Sequence, residues 1–305
     1  MDDRGVQSPT VAIVYAHRGG AKLRPENTLL AFDHGLALGA DGLEFDVHLS
    51  RDGVVVIHHD TTLDRTTNGR GPLAALTADE LARLDAGHNF APSLEHRAHP
   101  EHRAHPEHPA HLEHPVHSAH PMHPEHLAHP AHLAHPAHPY RGLAGGVPRL
   151  DEVLRRYPSV PLIIELKVNA PELAHRTIDA IRAADAVDRV ALGSFGTRVL
   201  RAARAYEPAI RTGSSREETR LALYRSWVRW PVRRPPYQEY QVPETAGRTR
   251  VVSPRFVRYA HDAELRVKVW TVDDADDMRR LLSWDVDAII SDRPDVAVSV
   301  VRASS

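Results

Sequence analysis

The sequence predicts an α/β barrel. Short apolar runs that read as strands alternate with short helices along most of the chain, the order that builds a parallel sheet wrapped in helices. The residues able to do chemistry gather where those apolar runs end, which is where such a barrel keeps its sites. At 305 residues the chain can hold one barrel and an insertion.

The first strand is Val11 to Ala16, and it stops at His17-Arg18-Gly19-Gly20. The glycines break the strand and let backbone approach a ligand. Histidine titrates near neutrality and arginine offers a fork that fits phosphate. Taken alone, the same four residues describe a strand-end turn with an exposed histidine. Pro25-Glu26-Asn27-Thr28 starts a helix with apolar positions at Leu29, Leu30, Phe32 and Leu36 and a stop at Gly39. The second strand, LEFDVHL, alternates Glu44, Asp46 and His48 with Phe45, Val47 and Leu49. Period-two alternation puts both carboxylates on one face, where they repel unless a positive charge intervenes. A solvated face satisfies them; so does a divalent cation held by carboxylate oxygens. Arg51-Asp52-Gly53 is a hairpin turn and VVVIHHD returns from it. A turn centred between Asp52 and Gly53 sets Asp46 opposite His59. Leu63 to Gly69 is a polar loop.

In combination, HRG, PENT, LEFDV, DG, HHD and LDRTTNGRG resemble the amino-terminal half of the glycerophosphodiester phosphodiesterases. The resemblance implies a TIM (β/α)8 barrel with a metal site at the carboxyl ends of its strands. It extends over nearly the whole of residues 1–305, read as a single domain interrupted by a low-complexity insertion at 95–139.

That insertion carries fifteen histidines, one at every third position from His96 to His138, nine of them followed by proline. Such proline density excludes helix and sheet. The period matches polyproline II, whose rise would space the imidazoles about 9 Å apart, too far for neighbours to share an ion bound at roughly 2.1 Å. A disordered surface insertion, adventitious Zn, Ni or Cu binding, and a metal buffer or pH-responsive segment are the competing readings. The remaining ordered sequence continues the alternation. Thr77 to Leu84 is a capped helix and Asp151 to Tyr157 another. Val160 to Val168 is a strand ending in Glu165-Leu166-Lys167, whose acid and lysine share a face. A strand-end ion pair explains them; the resemblance implies instead a third metal carboxylate, Glu165, and a phosphate-facing Lys167. Leu221 to Tyr240 interleaves arginine with tryptophan and tyrosine. It is read as a rim loop packed on its own aromatics rather than as a nucleic-acid or lipid contact. Leu265 to Val272 is a strand carrying Trp270, which the resemblance makes the apolar wall beside glycerol. Val286 to Ser291 closes the series before Asp292-Arg293-Pro294-Asp295. The family usually has asparagine where Asp273 stands, and often threonine where Ser291 stands.

A net charge of −2 gives no electrostatic case for nucleic acid. Cysteine is absent, which excludes thiolate metal sites. No apolar run is long enough for a signal peptide or a membrane span, so a soluble cytoplasmic enzyme without stable membrane insertion is expected. Only Lys22, Lys167 and Lys268 are lysines among 38 basic residues, and each is expected to have a job of its own.

The implied reaction is metal-dependent hydrolysis of a small-molecule glycerophosphodiester, such as glycerophosphocholine or glycerophosphoethanolamine, to an alcohol and glycerol 3-phosphate. Glu44, Asp46 and Glu165 would hold one Mg or Ca ion, with Mn also suited to an all-oxygen site. Arg18 and Lys167 would bind the phosphate. His17 and His59 would be the acid and base, in an order the sequence leaves open. The alternatives are phospholipase D-like action on lipids, and a metal-binding or interaction protein working through the histidine stripe.

Overall fold

The computed structural model describes residues 12–92, 137–231 and 234–304. Eight parallel strands run around the barrel in sequence order, each followed by helix. The first turn of the barrel is β1 (Ile13–His17), α1 (Leu29–Ala37) and β2 (Gly42–Leu49). After β2 the chain forms an antiparallel hairpin with β3 (Val55–Ile57) and then α2 (Ala78–Ala82) and α3 (Leu150–Arg156). The series continues with β4 (Leu162–Leu166), α4 (Pro171–Ala183), β5 (Val190–Gly193), α5 (Thr197–Tyr206), β6 (Arg211–Thr212) and α6 (Arg216–Trp227). It ends with β7 (Glu239–Pro243), the small hairpin of β8 (Thr245–Ala246) and β9 (Thr249–Arg250), α7 (Pro254–His261), β10 (Arg266–Trp270), α8 (Ala275–Leu282), β11 (Ala288–Ser291) and α9 (Pro294–Ala303). β11 pairs with β1, and a parallel bridge between Gly213 and Glu239 joins β6 to β7 and closes the ring. The expected (β/α)8 barrel is therefore observed.

The main apolar core lies between strands and helices. Phe32, Phe45, Leu154, Ile178, Leu200, Phe256 and Leu281 are buried there. Inside the barrel a smaller layer stacks Tyr15, Ile163, Ala288 and Ile290, and beside it sits a buried ion pair. Lys268 Nζ is 2.8 Å from Glu239 Oε2, with the two residues 2% and 1% exposed. Gln241 Nε2 donates to Glu239 Oε1 at 2.6 Å, and the ammonium lies 4.9 Å from the Tyr15 ring centroid. Gly193 leaves room for this amide: a Cβ there would stand 2.3 Å from Gln241 Oε1 and push the side chain from its place. Lys268→Ala is expected to cost about 3–5 kcal/mol, since it strands a buried carboxylate. Lys268→Met with Glu239→Gln should cost far less. Chemical denaturation of the two variants checks the difference, and equal losses would show that the pair is not what the interior needs.

Three readings of the sequence need amendment, and a fourth falls outside the described residues. The first strand begins at Ile13, and Val11 lies outside the described residues. The β2–β3 register differs by one from the sequence reading: Val47 faces Ile57 and His48 faces Val56, so Asp46 lies opposite His58, whose N–H donates to the Asp46 carbonyl at 3.0 Å. The extra residue is in the turn. Gly53 takes φ +75° and donates to Ser50 O, while Ser50 N–H reaches Val54 O, the geometry of a glycine bulge rather than a two-residue loop. Leu221 to Tyr240 splits in two. Its start is the end of helix α6, opened by a Ser215–Glu218 capping box, and of its aromatic residues Tyr237 and Tyr240 pack inward, with Tyr240 against Phe256. Trp227 and Trp230 are 49% and 66% exposed. The histidine-stripe reading falls on residues 93–136, outside the described residues, apart from the last few positions of the stretch. No helix among the described residues is long and apolar enough to cross a membrane.

Candidate active site

Strand register assembles the site. β1 and β2 pair with His17 beside Glu44, and β2 and β4 pair with Asp46 beside Glu165. Four chemical side chains from three neighbouring strands thus meet at their carboxyl ends, at the base of a cavity of about 630 Å3. The cavity is also lined by Arg18, His59, Lys167 and Trp270. All eight residues singled out from the sequence stand at this one place.

One oxygen from each of Glu44, Asp46 and Glu165 lies within 4.8 Å of the others. Glu44 Oε2 and Asp46 Oδ1 are buried and have no hydrogen-bond donor. Their nearest positive groups are longer ion-pair contacts, His17 Nε2 at 3.7 Å and Lys167 Nζ at 3.4 Å. Burial pushes the Glu44 carboxyl well above the usual range, and Asp46 and Glu165 add to the shift against the opposing pull of His17. Burial raises Glu165 as well. Buried carboxylates without donors are costly, and a divalent cation taking oxygen ligands removes that cost. The donor set therefore fits a hard cation.

Each histidine of the pair has its own carboxylate. His17 Nδ1 is 2.6 Å from Asp292 Oδ1. Burial draws its pKa down, but Glu44 and Asp292 outweigh it and push it up to about 9. His59 Nδ1 is 2.6 Å from Asp60 Oδ1. In both rings this leaves Nε2 as the nitrogen available to chemistry. His59 reaches the cavity through the bend that follows β3, not through the hairpin ladder. His48 supports it: burial draws the His48 pKa down, and its Nε2–H donates to the His59 carbonyl at 3.0 Å. His58 turns away and bonds the Thr62 carbonyl at 3.1 Å.

A run of alternating charges ties these groups together. Arg65 donates to Asp60 and, through both terminal nitrogens, to Glu26 at 2.6 and 2.8 Å. Glu26 accepts from Arg18 Nη1 at 3.0 Å, and Arg18 Nε lies 3.0 Å from Asp46 Oδ2. Burial would raise Glu26, yet Arg65 and Arg18 hold it at about 2. Asn27 Nδ2 donates to Asp46 Oδ2 at 2.9 Å. Arg18 and Asn27 both adopt left-handed backbone, φ +50° and +59°, which costs a non-glycine residue about 1 kcal/mol or more. The turn is held in that strained form with both side chains against Asp46.

Several of these residues carry no role in the sequence reading. Glu26, Asn27, Asp60, Arg65 and Asp292 stand inside quoted motifs; Asp60 pairs with its neighbour His59, but Glu26 meets Arg65 across 39 residues and Asp292 meets His17 across 275. Asp273, where the family usually has asparagine, accepts from Ser291 Oγ at 2.9 Å and from Asp292 N at 2.8 Å, and its second oxygen is 3.0 Å from Lys22 Nζ. The extra charge of the aspartate thus meets one of the three lysines, and the Asp292 backbone is fixed behind His17.

The described geometry resembles that of known proteins. Residues 17–296 match the glycerophosphoryl diester phosphodiesterase family model. A glycerophosphodiester phosphodiesterase of Caldanaerobacter subterraneus subsp. tengcongensis is 26% identical over 295 residues, 95% of this chain and 98% of that one. A crystal structure of glycerophosphodiester phosphodiesterase from Agrobacterium tumefaciens superposes with a TM-score of 0.66 at 25% identity, covering 94% of this chain and 99% of that one. The Oleispira antarctica phosphodiesterase, solved with its product sn-glycerol-3-phosphate, shares the fold with a TM-score of 0.64 at 23% identity, covering 96% and 97%.

Proposed function

The chain belongs to the glycerophosphoryl diester phosphodiesterase family, and from that premise we propose that it cleaves small glycerophosphodiesters, such as glycerophosphocholine and glycerophosphoethanolamine, to the free alcohol and glycerol 3-phosphate. It is a phosphodiesterase whose reaction class is glycerophosphodiester hydrolysis. The observation that carries the finer reading is the cluster of donor-poor carboxylates with a carboxylate-anchored histidine on each side.

Glu44, Asp46 and Glu165 are the residues to hold one Mg or Ca ion, or Mn in their place. When bound there, such an ion would supply Lewis-acid polarisation of the phosphoryl group. Arg18 and Lys167 offset the remaining phosphate charge, and the carboxylates around them keep both oriented. His17 and His59 transfer the protons, one taking a proton from the attacking oxygen and the other giving one to the leaving alcohol. Asp292 and Asp60 fix the tautomers by engaging Nδ1. Trp270, edge-on to Phe195 at 5.8 Å between centroids, forms the wall beside glycerol. A cytoplasmic enzyme is the corresponding reading of location.

The test is release of glycerol 3-phosphate from both named substrates by metal-stripped protein, with Mg, Ca or Mn added back. Turnover is expected to return with metal. Absence of turnover with every metal and both substrates would overturn the reading.

A further inference from the structure

The end of α6 and helix α7 enclose a second cavity, of about 410 Å3, that shares no lining residue with the first. Its wall carries Arg229, Arg255 and Arg258 together with Ser226, Tyr259 and Asp262. Arg255 and Arg258 stand three positions apart on α7 and so share a face of it. Arg229 comes from the turn that closes α6. There the Trp230 N–H donates to the Arg225 carbonyl at 2.9 Å, and Arg229 takes φ +55°. Glycine usually fills that position of such a turn; here it brings an arginine to the cavity.

Many arginines of this chain meet a carboxylate, among them Arg65, Arg156, Arg182, Arg204 and Arg280. Arg229, Arg255 and Arg258 have no such partner among the described residues, although Asp262 lines the same wall. Like charges around one recess repel unless an anion lies between them. Three guanidinium groups against one carboxylate leave the wall with two positive charges in excess. Tyr259 adds a second observation. Its ring packs on the main core, and its hydroxyl is buried with no hydrogen-bond partner among the described residues, which costs free energy until a partner is supplied.

We propose that this cavity is a second anion site and that its ligand is a free phosphate monoester. Such a group carries a charge of about −1.5 to −2 at neutral pH, which matches the wall. Guanidinium forks take phosphate oxygens in pairs, and the Tyr259 hydroxyl is the remaining donor. Small-molecule sites enclose about 300–1,000 Å3, so a phosphate bound here leaves room for a small organic group. Glycerol 3-phosphate is of that size and class. The site stands apart from the carboxylate cluster, and the proposal holds whether or not the chain hydrolyses glycerophosphodiesters.

Equilibrium dialysis of metal-stripped protein against sn-glycerol 3-phosphate and against inorganic phosphate reads binding without turnover. Saturable binding of both is expected. Arg255→Gln with Arg258→Gln should weaken it about a hundredfold, at about tenfold for each charged hydrogen bond lost. Both side chains are exposed and unpaired, so this variant should melt with the parent. Tyr259→Phe, which keeps the ring in the core, should weaken binding about threefold or more. Lys167→Gln, which disables the phosphate contact of the catalytic cavity, should leave it intact. Binding that is lost in Lys167→Gln and kept in the arginine variant would overturn the proposal, because the phosphate would then sit over the carboxylates. Absence of saturable binding of either anion would overturn it as well. So would attachment to phosphatidylcholine–phosphatidic acid vesicles that the arginine variant loses while neither free anion binds, which would make the wall a membrane contact.

Discussion

His59→Ala is expected to leave a folded barrel that turns over glycerophosphodiester about 10²- to 10⁴-fold more slowly, the usual scale for losing a positioned proton-transfer group. His59 sits past the end of β3, partly exposed, and contributes nothing to the core. Its removal should therefore leave thermal stability almost unchanged. His17→Ala should lower turnover on the same scale, and it also releases Asp292 and takes a positive neighbour from Glu44. The two variants can be told apart with a p-nitrophenyl diester, whose leaving group needs no proton. The variant missing the acid should recover most of its rate on that substrate, whereas the variant missing the base should not. Undiminished turnover in both variants would remove the histidine pair from the mechanism.

The second large effect is expected from Glu44→Gln, and it has two faces. Turnover should fall about 10²-fold or more, because metal stabilisation of phosphoryl charge is worth several kcal/mol. The metal-free variant should nevertheless be more stable than the metal-free parent. Glu44 is held above its ordinary 4.5 in the fold, so the folded state binds this proton more tightly than the unfolded chain does. Stability then falls as pH rises above 4.5, by about 1 kcal/mol per pH unit until the folded group ionises. Glutamine has no proton to lose. The melting temperatures of variant and parent should coincide in acid, separate as pH rises through neutrality and hold a constant gap above about 8, with the variant higher. Added Mg or Ca should raise the parent and leave the variant where it is. A variant that melts lower than the metal-free parent at neutral pH would show that the Glu44 charge is not a cost to the fold.

Both expectations follow from groups that are visible in the sequence, and the reasons are local. Period-two alternation is enough to put Glu44 and Asp46 together, and apolar runs ending in charged residues mark where a barrel opens. Partners from distant segments leave no such trace. Nothing near His17 signals Asp292, and nothing in PENT signals that Asn27 and Glu26 hold Asp46 and Arg65. The hairpin register is not legible because a glycine bulge and a two-residue turn share the Asp-Gly signature. His59 still faces the cavity, but for a different reason, the bend after β3. Helix α6 is hard to see for a related cause. Much of its surface faces the cavity and solvent, so it lacks the apolar stripe by which helices are read.

Arg65 has one more implication. It lies on a surface loop, yet through Glu26 and Asp60 it joins the segment after β1 to the segment after β3. Anyone exchanging loops between such enzymes to change their selectivity will find that these two are not separate modules. A transplanted 60–71 loop without its arginine would strip Glu26 and Asp60 of their shared guanidinium, leaving Glu26 with Arg18 alone and Asp60 with His59 alone. The two segments have to travel together as one cassette.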